Sequence, residues 1–513
     1  LNNLNKSETI KVIAVTNILT HESTDFKGLA MSPPIKTLFI SAEVAPFAKT
    51  GGLGDVGGSL PKALAELGHD VRVVMPAYKN IEEEYPGVEP MEGQLNVQMG
   101  YGFGTVPCGV FQSTLPGSNV PIYFIAEWHL FKRDEIYGYW DDPYRFAFFS
   151  MAALQLTQAL DWKPDLLHAH DWHTAPAITW LSTAGQGDPW FQGIASVFTI
   201  HNLAHQGKTD WHIFDYMGIQ THSLAEEAFG GVNFMARGIY HATMVNTVSP
   251  SYAREILTPE GGAGLDALLR HRSYDVHGIL NGLDYDSWDP AEDSRLPHHF
   301  SIEKLDGRLD NRRALQEYAN LPVKDNIPIL AMVSRLDWQK GLDLMGHAIH
   351  LLMNGFSGEA QFIVLGTGEY HYEQMFAQLA AYHQDKMTAF LAYNAGLAPL
   401  IYAGSDMFLM PSLFEPCGLG QMIAMRYGSV PVVRATGGLA DTVHDSITGF
   451  SFHDFNVESF WHAIQRAIYI YNVDKESWGR IQLNGMMADF SWSRSALGYQ
   501  QLYEWAIART IGG

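Results

Sequence analysis

Only two cysteines, Cys108 and Cys417, occur in the 513 residues. That is too few for a disulfide framework or a thiolate zinc site and points to a reducing compartment, cytoplasm or plastid stroma. Basic residues are scarce too: 33 Lys and Arg against 55 Asp and Glu give a formal charge of −22. This balance opposes non-specific association with nucleic acid or an anionic membrane, so a phosphate-bearing ligand has to be held by a few local cations. No stretch approaches the roughly 18 uninterrupted apolar residues of a membrane span. Residues 1–33 hold one short apolar run, IKVIAVTNIL, then polar HESTDFKG, with neither a basic leader nor a cleavage site of small residues. A secretory signal is therefore not expected there, and 1–33 reads as an extension, disordered or left from a transit sequence.

What is present is the profile of a globular enzyme: 47% apolar and 17% charged residues, with aromatics throughout. The length exceeds the roughly 250–300 residues at which one core stops growing, so two domains are expected. Short β-branched runs alternate with helical stretches, the pattern of βαβ units around parallel sheets. In the first half the strand candidates are 36–42, 71–76, 120–126, 165–170, 195–201 and 244–249; in the second they are 328–335, 360–366, 387–393, 406–412 and 429–435. A helix is expected over SLPKALAELG (59–68), with Ser59 as N-cap, Pro61 in the first turn and Gly68 as stop. The polar DYDSWDPAEDSRLPHHF (284–300) marks the entry to the second domain, giving domains over 34–280 and 281–490.

The same glycine turn occurs twice, as TGGLGD (50–55) and TGGLAD (436–441). Two doubly wound domains bind ligands beyond the carboxyl ends of their strands, so one turn is expected on each wall of a shared cleft, offering backbone N–H groups to an anion. Gly52, Gly54 and Gly57 formally fit the dinucleotide fingerprint, but EVAPFAKT separates them from the strand, Asp55 brings negative charge, and the next strand lacks a ribose-binding acid. A nicotinamide enzyme is disfavoured, and Lys49 at the lip argues for another anion. SRLDWQKG puts Arg335 and Lys340 just past a buried strand, where two cations suit a diphosphate. SLFEPCGLGQ carries Glu415 straight after another strand, ahead of a helix from about Gly418, where a carboxylate can accept bonds from sugar hydroxyls. Cys417 beside it reads as a packing residue, since no His–Asn pattern supports a thiol nucleophile.

HAHDWH (168–173) has the density of a metal site, with His168 and His170 on one strand face. The strand must end there, however, so Asp171, Trp172 and His173 are expected in a loop over the cleft. There they meet His201 and Asn202, which end the next strand, and metal is not assigned. Carboxylate, amide, imidazole and tryptophan together suit a sugar pocket. The run YGYWDDPYRF (137–146) is read either as a polysaccharide contact or as a packed surface loop.

KTGGLGDVGGSLPKAL, HAHDWH, FTIHNLAHQG, ILNGLD, SRLDWQKG, PSLFEPCGLGQMIAMRYG and ATGGLADTV follow one another over 35–495. In that order they resemble bacterial glycogen synthases and plant starch synthases, glycosyltransferase family 5. The resemblance implies an α/β GT-B fold of two Rossmann-like domains across a cleft, with 491–513 forming a helix that crosses back to the first domain. It implies transfer of glucose from ADP-glucose to the non-reducing end of an α-1,4-glucan, with retention and without metal; no cofactor is expected, and the acidic balance speaks against nucleic-acid or membrane partners. Carried over by position, Lys49 and the Gly51–Gly52 turn approach the diphosphate and donor sugar, with Asp55 in the substrate site beside them. Arg335 and Lys340 neutralise the diphosphate. Asp171, His201 and Asn202 line the sugar and acceptor pocket, and the His201 carbonyl is the group expected to stabilise the sugar cation. Asn281 sits at the hinge side, Glu415 with the amides of Cys417, Gly418 and Leu419 holds glucose hydroxyls, Tyr393 stacks on adenine, and Gly437 and Gly438 lie near phosphate or sugar. Gly420 and Leu413 depart from the family's usual threonine or isoleucine and arginine. A phosphorylase, a sucrose-type synthase or a non-catalytic glucan binder would share the architecture.

Overall fold

The computed structural model describes residues 33–512 except 101, 221–223 and 225–229; the extension expected over 1–33 lies outside them but for its last residue. Two sheets organise the chain from Lys36 onward. Across the first, the strands run Val276–Gly278, Met244–Thr247, Ala195–Ile200, Leu166–His170, Lys36–Ile40, Asp70–Pro76 and Pro121–Ala126, each parallel to its neighbour. Thr105–Thr114 then adds an antiparallel edge, paired in turn with Glu89–Pro90 and Leu95–Gln98. The second sheet is parallel throughout: Met387–Phe390, Gln361–Leu365, Ile329–Val333, Met407–Met410, Val430–Arg434 and Phe450–Phe452. Strands such as Leu166–His170 and Gln361–Leu365 are buried along their whole length, because helices cover both faces.

Each sheet reverses its winding direction once beside its first strand. In the first sheet this lies between Lys36–Ile40 and Leu166–His170; in the second, between Ile329–Val333 and Met407–Met410. Loops leaving such neighbouring strands diverge to opposite faces and open a crevice beyond their carboxyl ends. Four of the motifs lie at or beyond the ends of these four strands: KTGGL, HAHDWH, SRLDWQKG and PSLFEPCGL.

The sequence expectation differs at three element starts. The helix expected from Ser59 begins at Gly52 and runs to Glu66, with Ser59 and Pro61 in its interior. Its glycines are helical because the helix lies on the preceding loop; a Cβ on Gly57 would stand 2.5 Å from the Glu43 carbonyl oxygen. The loop expected over 171–173 is instead the first turn of helix Asp171–Ser182, entered through Asp171 at φ +55°. The helix placed near Gly418 starts at Gly420.

Helix Trp492–Gly512 packs against helix Gly52–Glu66 and the strands Ala195–Ile200, Leu166–His170 and Met244–Thr247. Tyr503 Oη lies 2.7 Å from His168 Nδ1, Tyr499 Oη accepts from Asn246 at 3.3 Å, and Arg509 pairs with Asp275. Among the described residues no helix is long and apolar enough to cross a membrane.

Candidate functional site

A cavity of about 750 Å³ opens beyond the strand ends of both sheets. It brings together Gly51, Gly52, Asp171, His201, Asn202, Asn281, Arg335, Lys340, Glu415, Cys417, Gly418 and Leu419. A second cavity of about 320 Å³ shares Arg335, Lys340 and Glu415 and adds Lys49 and Asp55. Three expected residues line neither: Tyr393, Gly437 and Gly438. Tyr393 follows the edge strand Met387–Phe390 and is 84% exposed.

The two glycine turns are alike in sequence but differ in surroundings. In the first, the buried Glu43 carboxylate accepts from Thr50 N (2.5 Å), Thr50 Oγ1 (2.7 Å) and Gly51 N (3.2 Å), and from Tyr137 Oη (2.8 Å). In the second, Glu255 accepts from Gly437 N (2.8 Å) and Thr436 Oγ1 (3.1 Å). Both turns start helices, where free N–H groups attract an anion, and in both a glutamate supplies it. The second turn lies beneath the site: Gly438 N donates to the Glu415 and Pro416 carbonyls (3.1 and 3.2 Å). Gly437 adopts φ +45°, and a Cβ there would come within 1.9 Å of the Glu415 carbonyl oxygen. Nearby, Ser251 N and Oγ donate to Asp441 (2.8 and 2.7 Å), and Ser249 Oγ donates to the Pro416 carbonyl at 2.6 Å. The repeated turn thus has two jobs, one at the cavity wall and one joining segments that follow the two sheets.

Each expected cation has a carboxylate partner. Lys340 Nζ lies 2.7 Å from Glu415 Oε2, which also accepts from Ser412 Oγ at 3.0 Å. Lys49 Nζ lies 2.6 Å from Asp55 Oδ1, and Arg335, with its side chain 64% exposed, lies 3.5 Å from Asp337. Burial raises the Asp55 carboxyl above its ordinary range despite the lysine. Lys340 is the most enclosed of the three cations, its side chain 15% exposed against 44% for Lys49.

On the facing wall, Asp171 Oδ1 accepts from His201 N at 2.7 Å and Asn202 N at 3.4 Å. Burial pushes its carboxyl up to about 7, with the Glu43 charge adding to the rise and the two N–H bonds opposing it. His201 is driven down to about 3 by burial and is neutral at neutral pH. Its Nε2 lies 2.9 Å from His170 Nδ1, while His170 Nε2 is buried with no partner among the described residues. An orphaned buried acceptor is better tolerated than an orphaned N–H, so the network assigns the bridging proton to His170 Nδ1 and the His201 proton to Nδ1. His168 lies against His170, the rings tilted by 40° with centroids 4.0 Å apart, and bonds Thr199 through Nε2 (2.6 Å) as well as Tyr503 through Nδ1. Of the histidines that suggested a metal site, His168 is bonded to the C-terminal helix and His170 to His201, and the two rings touch without a hydrogen bond between them. Asn281 Oδ1 is buried with no partner among the described residues. Burial pushes the Cys417 thiol up to about 12, which suits packing rather than nucleophilic attack.

Sequence reasoning did not single out Glu43, His205 or Gln339, all of which line the cavity. Glu43 could have been found by its position three residues beyond the first strand, at the winding reversal.

A family model described as the starch synthase catalytic domain matches residues 36–271, and one described as glycosyl transferases group 1 matches 316–476. A glycogen synthase of Moorella thermoacetica is 44% identical over 492 residues, 93% of this chain and 98% of the relative. The chain belongs to the glycogen and starch synthase family. A solved structure, the catalytic domain of starch synthase IV from Arabidopsis thaliana bound to ADP and acarbose, superposes with a TM-score of 0.83 at 34% identity, covering 93% of this chain and all of that one. Sucrose-phosphate synthase from Thermosynechococcus elongatus superposes at a TM-score of 0.58 and 17% identity over 92% of this chain and 99% of that one, a likeness of fold alone. The synthase fold is thus GT-B, and the chain is a glycosyltransferase.

Proposed function

We propose that this synthase transfers glucose from ADP-glucose to the non-reducing 4-hydroxyl of an α-1,4-glucan, with retention and without a metal or cofactor. The observation that carries the reading is the larger of the two cavities at the winding reversals, lined by Arg335 and Lys340 from one sheet and by Asp171 and His201 from the other. The family membership and the ADP and acarbose of the starch synthase IV structure support donor and acceptor classes. Lobes over 34–280 and 281–490, with 491–513 returning to the first, suit this division of labour.

In the reaction, the bond from sugar C1 to the β-phosphate oxygen breaks and its electron pair stays on the phosphate. Acceptor O4 bonds C1 from the same face, and its proton passes to the departing phosphate oxygen. Lys49, Arg335, Lys340 and the Gly51–Gly52 turn face the charge that develops on ADP; fixed cations there lower the barrier directly. Glu415, with the amides of Cys417, Gly418 and Leu419, holds glucose hydroxyls. The His201 carbonyl stabilises the sugar cation, and Asp171, bonded to His201 N, fixes its orientation and adds negative charge when ionised. Asp55 holds Lys49, Asn202 and Asn281 complete the sugar pocket, the exposed Tyr393 ring stacks on adenine, and Gly437 and Gly438 support Glu415 from below. Closure excludes water and suppresses hydrolysis.

The test measures glucose incorporation into glycogen from ADP-glucose and from UDP-glucose, with released nucleotide quantified. Polymer growth with preference for the adenine donor is expected. No turnover of either donor would instead favour a non-catalytic glucan binder.

A further inference from the structure

The turn between Tyr137 and Asp142 is pinned residue by residue. The Tyr137 ring lies 4.6 Å from that of His173, and its hydroxyl donates to Glu43. Gly138 N and Tyr139 N donate to Asp142 Oδ2 at 2.8 and 3.1 Å. The guanidinium groups of Arg133 and Arg145 sit 4.8 and 5.0 Å from the Tyr139 ring centre. Arg133 also holds both Asp141 carboxylate oxygens at 2.7 Å. The fully buried Arg145 pairs with Asp142 and donates to the Leu130 carbonyl at 2.6 Å.

Against this, Trp140 is 90% exposed. The fold gains little from that ring, while the turn beneath it is fixed. Its place is specific: Tyr137, Gly138 and Asp142 all line the main cavity. One residue separates Trp140 from Gly138 and one from Asp142, so two Cα steps put its backbone within about 7 Å of the cavity wall. An indole is flat, with two rotatable side-chain bonds, and covers large apolar area at small entropic cost when its support is already ordered. Its chemical complement is the C–H face of a pyranose, and the chain leaving this cavity in the proposed reaction is an α-glucan.

We propose that Trp140 is a stacking platform for the α-glucan acceptor, taking a glucose unit outside the cavity and adding affinity for the polymer rather than for the donor. The inference rests on the proposed transfer reaction. Tyr274, 95% exposed and lining neither cavity, is the internal control.

The experiment compares initial rates of the full chain and its Trp140→Ala, Trp140→Phe and Tyr274→Ala variants, varying glycogen or maltoheptaose at saturating ADP-glucose, then ADP-glucose at saturating glucan. For Trp140→Ala the half-saturating glucan concentration is expected to rise about tenfold, the loss of one stacked aromatic, with the ADP-glucose KM unchanged. Trp140→Phe is expected to recover most of the loss, and Tyr274→Ala to match the parent. Unchanged glucan saturation in Trp140→Ala would overturn the inference while leaving the transfer reaction standing. A change in oligomeric mass without a change in glucan saturation would do the same by assigning the ring to a second copy of the chain. A parent enzyme that extends no glucan would overturn both.

Discussion

Asp171 is a buried carboxyl on the cavity wall whose titration near neutrality couples activity to stability. Its backbone bonds from His201 and Asn202 favour the ionised form, yet burial outweighs them and carries the group from 3.8 to about 7. That difference corresponds to a cost of about 4 kcal/mol for charging the group in the folded protein. Because the folded value is raised, its contribution to stability is fully present below pH 3.8 and is lost as pH rises through about 7. Transition-state stabilisation runs the other way, since a developing sugar cation is helped by the carboxylate. Across the interval around pH 7, kcat/KM for ADP-glucose is therefore expected to rise while thermal stability falls. At pH 6 the rate constant should be about a tenth of its plateau, the fraction ionised one pH unit below the midpoint. Asp171→Asn keeps acceptor capacity toward His201 N but cannot ionise. It should lose most activity, flatten the acid limb and gain stability over the parent above pH 7. The assays are initial rates from pH 5 to about pH 9 and thermal unfolding over the same range. An acid limb near pH 4 in the parent, or an unchanged limb in Asp171→Asn, would refute the reasoning.

Other outcomes follow from the paired charges and the buried histidines. Glu415→Ala removes the partner of Lys340 and should lower kcat/KM by about 10- to 100-fold, the value of one or two charge-assisted bonds; a double-mutant cycle with Lys340→Ala should show strong coupling, and additive losses would break the pairing argument. Tyr393→Ala should weaken ADP binding measured by calorimetry, and an unchanged Kd would remove that ring from the adenine site. Tyr503→Phe strips the bond to His168 Nδ1 in a fully buried setting and should cost about 1–3 kcal/mol in urea unfolding. Through the packed rings of His168 and His170 and the bond from His170 to His201 it should also lower kcat more than it raises KM; loss of stability with kcat intact would confine Tyr503 to packing.

The parallel strands were legible in the sequence because burial on both faces leaves near-continuous apolar runs such as QFIVL and MFLM. The strand Thr105–Thr114 was not, because Pro107 and Gly109 read as breakers and its alternation is half exposed. The start of helix Gly52–Glu66 was hidden for a tertiary reason: its glycines admit the Glu43 carbonyl, which composition alone reports as a loop. Most of the candidate site was legible because its motifs lie at or beyond the carboxyl ends of parallel strands, four of which flank the winding reversals. The partnerships within it were not: Lys340 and Glu415 are 75 residues apart, and Glu255 reaches the second glycine turn across 182. Nothing in the local spelling of TGGL distinguishes a turn on the cavity wall from one that supports Glu415.

The central claim is tested most directly by supplying ADP-glucose labelled with ¹³C at C1 together with maltoheptaose, and following the labelled anomeric carbon by NMR while ADP is quantified. The account predicts a new α-1,4 linkage at the non-reducing end, with one ADP released per glucose added. A β-linked product, label appearing as free glucose, or ADP release without chain growth would contradict it.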